Sequence, residues 1–144
     1  MTNNISVFGL GKLGASMVAA IASRGFNIIG VDILERSVSA LNNGLPPVQE
    51  TGLAELIDKN KHRIKATLDT TEAVLASDVS FVIVPTPSNS HGAFEIQYVG
   101  HAFKEIGKAL KTKDSYHLIV LTSTVLPGSL RYGLIPILEK ESGK

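Results

Sequence analysis

The sequence predicts an α/β fold: a doubly wound parallel sheet with strand order 3-2-1-4-5 and helices on both faces. Three observations carry this expectation. Short apolar runs alternate with helical patterns along the whole chain, the mark of repeated strand–helix–strand units. A glycine triplet, Gly9, Gly11 and Gly14, follows directly on the first apolar run. Proline and glycine punctuation at Pro46-Pro47, Pro85-Thr86-Pro87 and Pro127-Gly128 breaks the chain where loops are needed.

Each element follows from the local pattern. Residues 5–8 read as the first strand, and residues 13–23 as a helix with apolar positions at Met17, Val18, Ile21 and Ala22 that ends near Gly25. Asn27–Val31 is the second strand, and residues 35–43 form a second helix closed by Gly44. Pro46-Pro47 makes the next connection irregular, because proline removes a donor and restricts its predecessor. A short helix over 53–59 precedes a third strand, Ile64–Thr67, and residues 71–76 are helical. Residues 79–84 read as a buried parallel strand, stopped by Pro85-Thr86-Pro87. A long amphipathic helix over 96–110 leads to the fifth strand, Leu118–Leu121. Pro127-Gly128 opens a last helix with Leu130, Leu134, Ile137 and Leu138 on its apolar face.

The 144 residues suit one domain with a single core, residues 1–144, and contain no repeat, low-complexity tract or linker. Fourteen basic and thirteen acidic side chains leave a formal charge of +1, which gives no electrostatic case for nucleic acid or an anionic membrane as main partner. No apolar run approaches the length of a membrane span. The opening Met-Thr-Asn-Asn lacks a basic region, and the next apolar run is interrupted by Gly9 and Gly11. A signal peptide is therefore not expected, and the cytoplasm is the default location. The chain has no cysteine, which excludes disulfides, zinc-thiolate sites and thiol catalysis within it.

The glycines point to chemistry. Gly9 permits a tight turn out of the strand, Gly11 admits close approach of a pyrophosphate, and Gly14 lets the helix pack near the sheet, with free N–H groups facing the phosphates. The second strand then ends on Asp32, where a carboxylate accepts from the adenosine ribose hydroxyls and repels the extra phosphate of NADP. The order strand, glycines, helix, strand, Asp is that of a Rossmann-type dinucleotide site, with NAD favoured. In such a sheet, ligands gather outside the carboxyl ends of the strands, at the switch point between strands one and four. The glycine turn, Pro85-Thr86-Pro87 and Thr122-Ser123-Thr124 fall at three of those ends.

Other residues have two readings. Asp32 could instead cap a helix or hold a turn. Arg36 either leans on the adenosine or is a solvated helix charge. Lys12 opposes the helix dipole without a ligand and attracts a diphosphate with one. Thr86 offers a hydroxyl between two rigid prolines, or only a strand stop. Ser123 and Thr124 present hydroxyls at a strand end, for a ligand, for capping before Pro127, or for both. His62, His91, His101 and His117 show no metal spacing, and no nucleophile elbow is present. They read as surface or loop residues.

Four segments in order resemble the UDP-glucose/GDP-mannose dehydrogenase family at its N-terminal NAD-binding domain. They are Val7-Phe8-Gly9-Leu10-Gly11 with Gly14; Asn42 to Glu50 with Gly52-Leu53; Val82-Ile83-Val84-Pro85-Thr86-Pro87 continuing to Tyr98-Val99; and Ser123-Thr124-Val125-Leu126-Pro127-Gly128. The resemblance implies an NAD-dependent, four-electron oxidation of a nucleotide-sugar C6 alcohol to a carboxylate. By position, Gly9, Leu10, Gly11, Lys12, Leu13 and Gly14 hold the pyrophosphate and Asp32 the ribose. Val84, Pro85, Thr86, Pro87 and Ser88, with Ser123, Thr124 and Val125, line the cofactor groove. Thr124 matches the family threonine that binds the water near the reacting carbon.

The chain also departs from the family pattern. Lys12-Leu13 stands where the family usually has Tyr-Val, Ser37 replaces a basic residue with Arg36 displaced by one, and Thr122 replaces a Glu or Lys. The family's nucleophilic cysteine, catalytic lysine and catalytic glutamate lie beyond the last residue of this chain. The expectation is a domain truncated before its sixth strand, which binds NAD but does not complete the reaction alone. An exposed fifth strand would favour self-association, as in a homodimer. Two alternatives remain open: a non-catalytic nucleotide-sensing module, and a fragment of a β-hydroxyacid dehydrogenase. A methyltransferase fits less well, because its glycine loop typically lacks the third glycine at this spacing.

Overall fold

The computed structural model describes residues 4–87 and 96–144. Five parallel strands, β1 (Asn4–Phe8), β2 (Asn27–Val31), β3 (Ile64–Thr67), β4 (Val79–Val82) and β5 (Leu118–Leu121), form one sheet. Their order is β3-β2-β1-β4-β5, as the sequence predicts. The register sets Val7 beside Gly30 on one side and Phe81 on the other. Helices α1 (Lys12–Ala22), α2 (Glu35–Asn42), α3 (Leu53–Asn60), α4 (Thr70–Ala76), α5 (Gln97–Leu110) and α6 (Ile135–Ser142) cover the sheet.

The alternation along β1 creates two cores. Ile5 and Val7 pack with Leu10, with the α1 residues Ala15, Val18 and Ala19, and with Leu53 and Ile57 of α3. Phe8, on the opposite face, packs with Val82, with Ala73 and Val74 of α4, and with Val99, Phe103 and Ile106 of α5. The three α5 side chains are almost wholly buried, each contributing about 1.5–3 kcal/mol. They stack on one side of the helix at the spacing of an amphipathic stripe. On the other face α1 lies close to the sheet because its buried residues, Gly14, Ala15, Val18, Ala19 and Ala22, are small.

Three details differ from expectation. The fourth strand ends at Val82 rather than at residue 84. Beyond it the Val84 carbonyl takes the Ser123 hydroxyl (2.7 Å) rather than a strand amide. The last helix opens directly after Pro127-Gly128, as expected, but its first turns are wound wide. Gly128 turns the chain with φ 88°, Ser129 is already in helical backbone, a π-helical turn covers Leu130–Leu134, and regular α6 continues from Ile135. Pro136, which the sequence reading passed over, lacks the N–H a tighter upstream turn would use.

His117 is the third difference. It is half-buried, and its Nε2 meets Ser80 Oγ at 2.8 Å. Its Nδ1 lies 3.1 Å from the Lys113 ammonium. Lys113 is itself buried and donates to the carbonyls of Val74 (2.7 Å) and Ser77. Ser80 also bonds Ser6 across β1 and β4 (2.6 Å). Nδ1 lies 3.1 Å from the Ser77 carbonyl as well, so the imidazole, the Lys113 ammonium and that carbonyl form one cluster. Burial and the neighbouring ammonium push the imidazole down to about 4. The surface reading of His117 is thus wrong, because one face of β4 carries a serine that needs a partner. His62 and His101 are exposed, and His91 lies outside the described residues.

Candidate functional site

The three glycines have different causes. Gly9 leaves β1 with φ 98°, and its N–H reaches the Val31 carbonyl at 2.8 Å. A Cβ there would sit 2.4 Å from the Ile83 carbonyl oxygen. At Gly14 a Cβ would sit 1.8 Å from the Gly9 oxygen, so the first turn of α1 rests directly on the glycine turn. Gly11 is unlike both: no atom lies within 4 Å of its Cβ position, and its backbone is extended at φ −71°, ψ −166°, open to any residue. The protein itself does not require glycine at position 11. Gly11 caps α1, which has no side-chain cap and no acid in its first turn, so the helix N-terminus is left open to an anion.

Asp32 stands at the end of β2. Its Oδ2 accepts the Leu10 N–H at 2.7 Å and its Oδ1 the Leu34 N–H at 2.9 Å. The carboxylate is therefore fixed between the glycine turn and the start of α2. Leu34, not Asp32, is the N-cap of α2, whereas the bond to the N–H two residues on makes Asp32 the turn Asp of the second reading. Each carboxylate oxygen keeps a further lone pair for a hydroxyl donor.

A crevice of about 860 Å³ opens here, lined by Gly9, Asp32, Val84 and Pro85 among the residues singled out from the sequence. Its remaining walls include Ile33, Leu68, Asp69, Tyr98, His101 and Glu105. Leu68 and Asp69 follow β3, so the rule that ligands gather at strand carboxyl ends was the signal for them. Asp69 also caps α4, accepting from Thr71 N–H at 2.8 Å and Glu72 N–H at 3.2 Å. On the α5 wall only Tyr98 carried a signal, as the end of the third family-like segment; His101 and Glu105 showed none beyond amphipathicity. Glu105 pairs with Lys108 at 2.6 Å, and this bond holds its carboxyl below the usual range.

The other predicted cofactor residues are not among the residues that line this crevice. Leu10 is buried beneath the turn and Leu13 is 55% exposed. Lys12 pairs with Glu50 at 3.3 Å. Arg36 is exposed and does not line the crevice. Thr86 is half-buried and Pro87 exposed, whereas Ser88 lies outside the described residues. Ser123 spends its proton on the Val84 carbonyl and Thr122 on that of Val82 (3.1 Å), tying the ends of β4 and β5 together. Thr124 is exposed beside them, and Val125 is half-buried. Among the described residues no group of His, Asp or Glu side chains could hold a metal ion.

Comparison with known proteins decides the lineage. Residues 3–144 match the model of the UDP-glucose/GDP-mannose dehydrogenase family, NAD binding domain. The chain belongs to that family. It is 42% identical over 142 residues to GDP-mannose 6-dehydrogenase of Pseudomonas syringae pv. tomato, covering 97% of this chain and 32% of that protein. The UDP-glucose 6-dehydrogenase AglM of Haloferax volcanii is 37% identical over 141 residues, covering 97% and 33%. A crystallised ternary complex of GDP-mannose dehydrogenase from Pseudomonas aeruginosa superposes with TM-score 0.95 at 40% identity, over 97% of this chain and 33% of that one. The chain thus spans about a third of the length of the curated relatives it matches.

As a member of this family the domain binds NAD, and its own geometry fits that group. The open Cβ position at Gly11 leaves room for a diphosphate at the α1 N-terminus. Asp32 is held with a lone pair on each oxygen open to a hydroxyl donor. Asp32, Asp69 and Glu105 all line this crevice, Asp69 as the cap of α4 and Glu105 paired with Lys108.

Proposed function

We propose that this domain is the cofactor-holding part of a nucleotide-sugar 6-dehydrogenase, oxidising the C6 alcohol of a GDP-mannose or UDP-glucose type substrate to a carboxylate. The observation that carries the reading is the pairing of an unobstructed Gly11 with a fixed Asp32 on one family-matched domain. When bound, NAD supplies the hydride acceptor. The chain's own residues bind and orient. Gly9, Leu10, Gly11, Lys12, Leu13 and Gly14 present backbone and charge to the diphosphate. Asp32 takes the ribose, and Arg36, exposed outside the crevice lining, reaches the adenosine only by swinging its side chain. Val84, Pro85, Thr86 and Pro87 with Ser123 and Val125 shape the groove toward the nicotinamide. Thr124, whose side chain stands free of the sheet, holds a water near the reacting carbon.

The cysteine nucleophile that the family resemblance implies is not among these 144 residues. Residues 1–144 thus act as one cofactor domain, and the sugar is bound and oxidised with groups outside it. The higher identity to GDP-mannose enzymes than to the UDP-glucose enzyme favours GDP-mannose, and with it a role in polysaccharide biosynthesis. A cytoplasmic location accords with the absence, among the described residues, of any helix long and apolar enough to cross a membrane. The β5 edge pairs only with β4 among the described strands, and Leu118 on it is 43% exposed, which supports a dimeric assembly.

A chimera tests the activity. Residues 1–144 replace the matching third of the Pseudomonas syringae GDP-mannose 6-dehydrogenase, and NADH formation is followed with GDP-mannose. Turnover within about tenfold of the parent is expected. A folded chimera that binds NAD and yet forms no NADH would defeat the proposal.

A further inference from the structure

Lys12 is the first residue of α1, directly after Gly11. A cation there opposes the helix dipole, and α1 carries no acid in its first turn to offset it. The offset comes instead from a distant loop: Glu50, between α2 and α3, places Oε1 3.3 Å from the Lys12 ammonium. The two partners are held unequally. The Lys12 side chain is 80% exposed and that of Glu50 37%. Glu50 is anchored by its backbone, whose carbonyl accepts the Leu53 N–H at 3.2 Å across a turn with Gly52 at φ 77°. Lys12 is therefore the partner free to swing. The contact is also looser than the three helix-surface ion pairs, which close to 2.6–3.0 Å.

We propose that Glu50 competes with the cofactor's diphosphate for Lys12, so that NAD binding exchanges one anionic partner of this lysine for another. The inference rests on the NAD reading of the site. The flexible lysine stem starts where the open Gly11 and the α1 N-terminus face a diphosphate, and a diphosphate carries more charge than one carboxylate. Neither Lys12 nor Glu50 lines the large crevice, so the exchange bears on the diphosphate and not on the base. Glu50 is a positioning residue: in the free protein it parks the cation beside the glycine turn, and in the complex it gives that cation up. Its carboxylate weakens cofactor binding and shields the turn from other anions.

Calorimetric titration of the 144-residue chain with NAD tests this, using Glu50→Gln, Lys12→Met and the double variant at low and high salt. Glu50→Gln should tighten NAD by about two- to fivefold at low salt, the range of an exposed ion pair, and the gain should vanish at high salt. Lys12→Met should weaken NAD, and adding Glu50→Gln to it should change nothing more. Glu50→Asp, which keeps the charge, should stay near the parent. Weaker or unchanged binding by Glu50→Gln would overturn the proposal, as would an equal gain without Lys12. If no variant binds NAD, the underlying cofactor reading falls with it.

Discussion

Replacing Gly11 and Gly14 by alanine, one at a time, separates what the fold requires from what the ligand requires. At Gly14 the new Cβ falls 1.8 Å from the Gly9 carbonyl oxygen, against a closest real approach near 3.0 Å. The first turn of α1 would have to retreat by roughly an ångström, against backbone rather than a flexible side chain. Such overpacking costs about 1–3 kcal/mol and occasionally more. The upper end applies here, because Gly14 is buried against the Val7 layer. At Gly11 the Cβ meets nothing, and φ −71° is an ordinary alanine conformation. Stiffening the unfolded chain gains about 0.4–1 kcal/mol, and exchanging a glycine cap for alanine costs about 0.5–1 kcal/mol. Net stability should therefore change by less than about 0.5 kcal/mol. The same methyl group would occupy the approach of the diphosphate, so NAD affinity should fall by at least about tenfold. Thermal unfolding and calorimetric titration read the two effects separately. Gly14→Ala should melt about 10 °C lower, while Gly11→Ala should melt with the parent and bind NAD poorly. A Gly11→Ala protein that binds NAD like the parent, or melts as early as Gly14→Ala, would refute the reasoning.

Further expectations follow from the polar contacts. His117 is neutral in the fold and is pushed down to about 4 from 6.5, so the unfolded chain takes up a proton first. Stability should fall as pH drops from about 6.5 to about 4 and then level, by about 1–2 kcal/mol for a half-buried group; denaturant titrations across that range should show a shallower slope in His117→Gln. Lys113→Met leaves the carbonyls of Val74 and Ser77 without their donor and should destabilise by about 1–3 kcal/mol in urea unfolding. Ser123→Ala frees the Val84 carbonyl and should cost about 1 kcal/mol, with a larger loss of NAD affinity if this strand end shapes the groove; calorimetry on the folded variant reads the second effect.

The sheet order was legible because short apolar runs, helical spacing and proline stops agree at each level, from β1 to β5. The glycine turn was legible for the same reason: Gly9 and Gly14 answer constraints internal to a strand–turn–helix unit. What escaped depends on distant parts of the chain. Lys12 is paired by Glu50, 38 residues onward in the sequence, and no local pattern announces that contact. His117 looked like a loop histidine because its partners, Ser80 and Lys113, come from β4 and from the turn after α5. Tyr98, His101 and Glu105 face the crevice only because α5 packs Val99, Phe103 and Ile106 onto the sheet. The early end of β4 and the π-helical first turns of the last helix go with Ser123 and Pro136, a hydroxyl and a missing donor that periodicity does not weigh.

The account turns on one claim, that this domain holds NAD by its ribose at Asp32 and by its diphosphate at the glycine turn. Titrating the chain with NAD and NADP in parallel, and repeating both with Asp32→Ala, tests it most directly. NAD should bind, NADP should bind at least about tenfold more weakly, and Asp32→Ala should weaken NAD while narrowing the gap between the two. Equal binding of the two cofactors by the parent, or an Asp32→Ala protein that keeps the parent's affinity and preference, would contradict it.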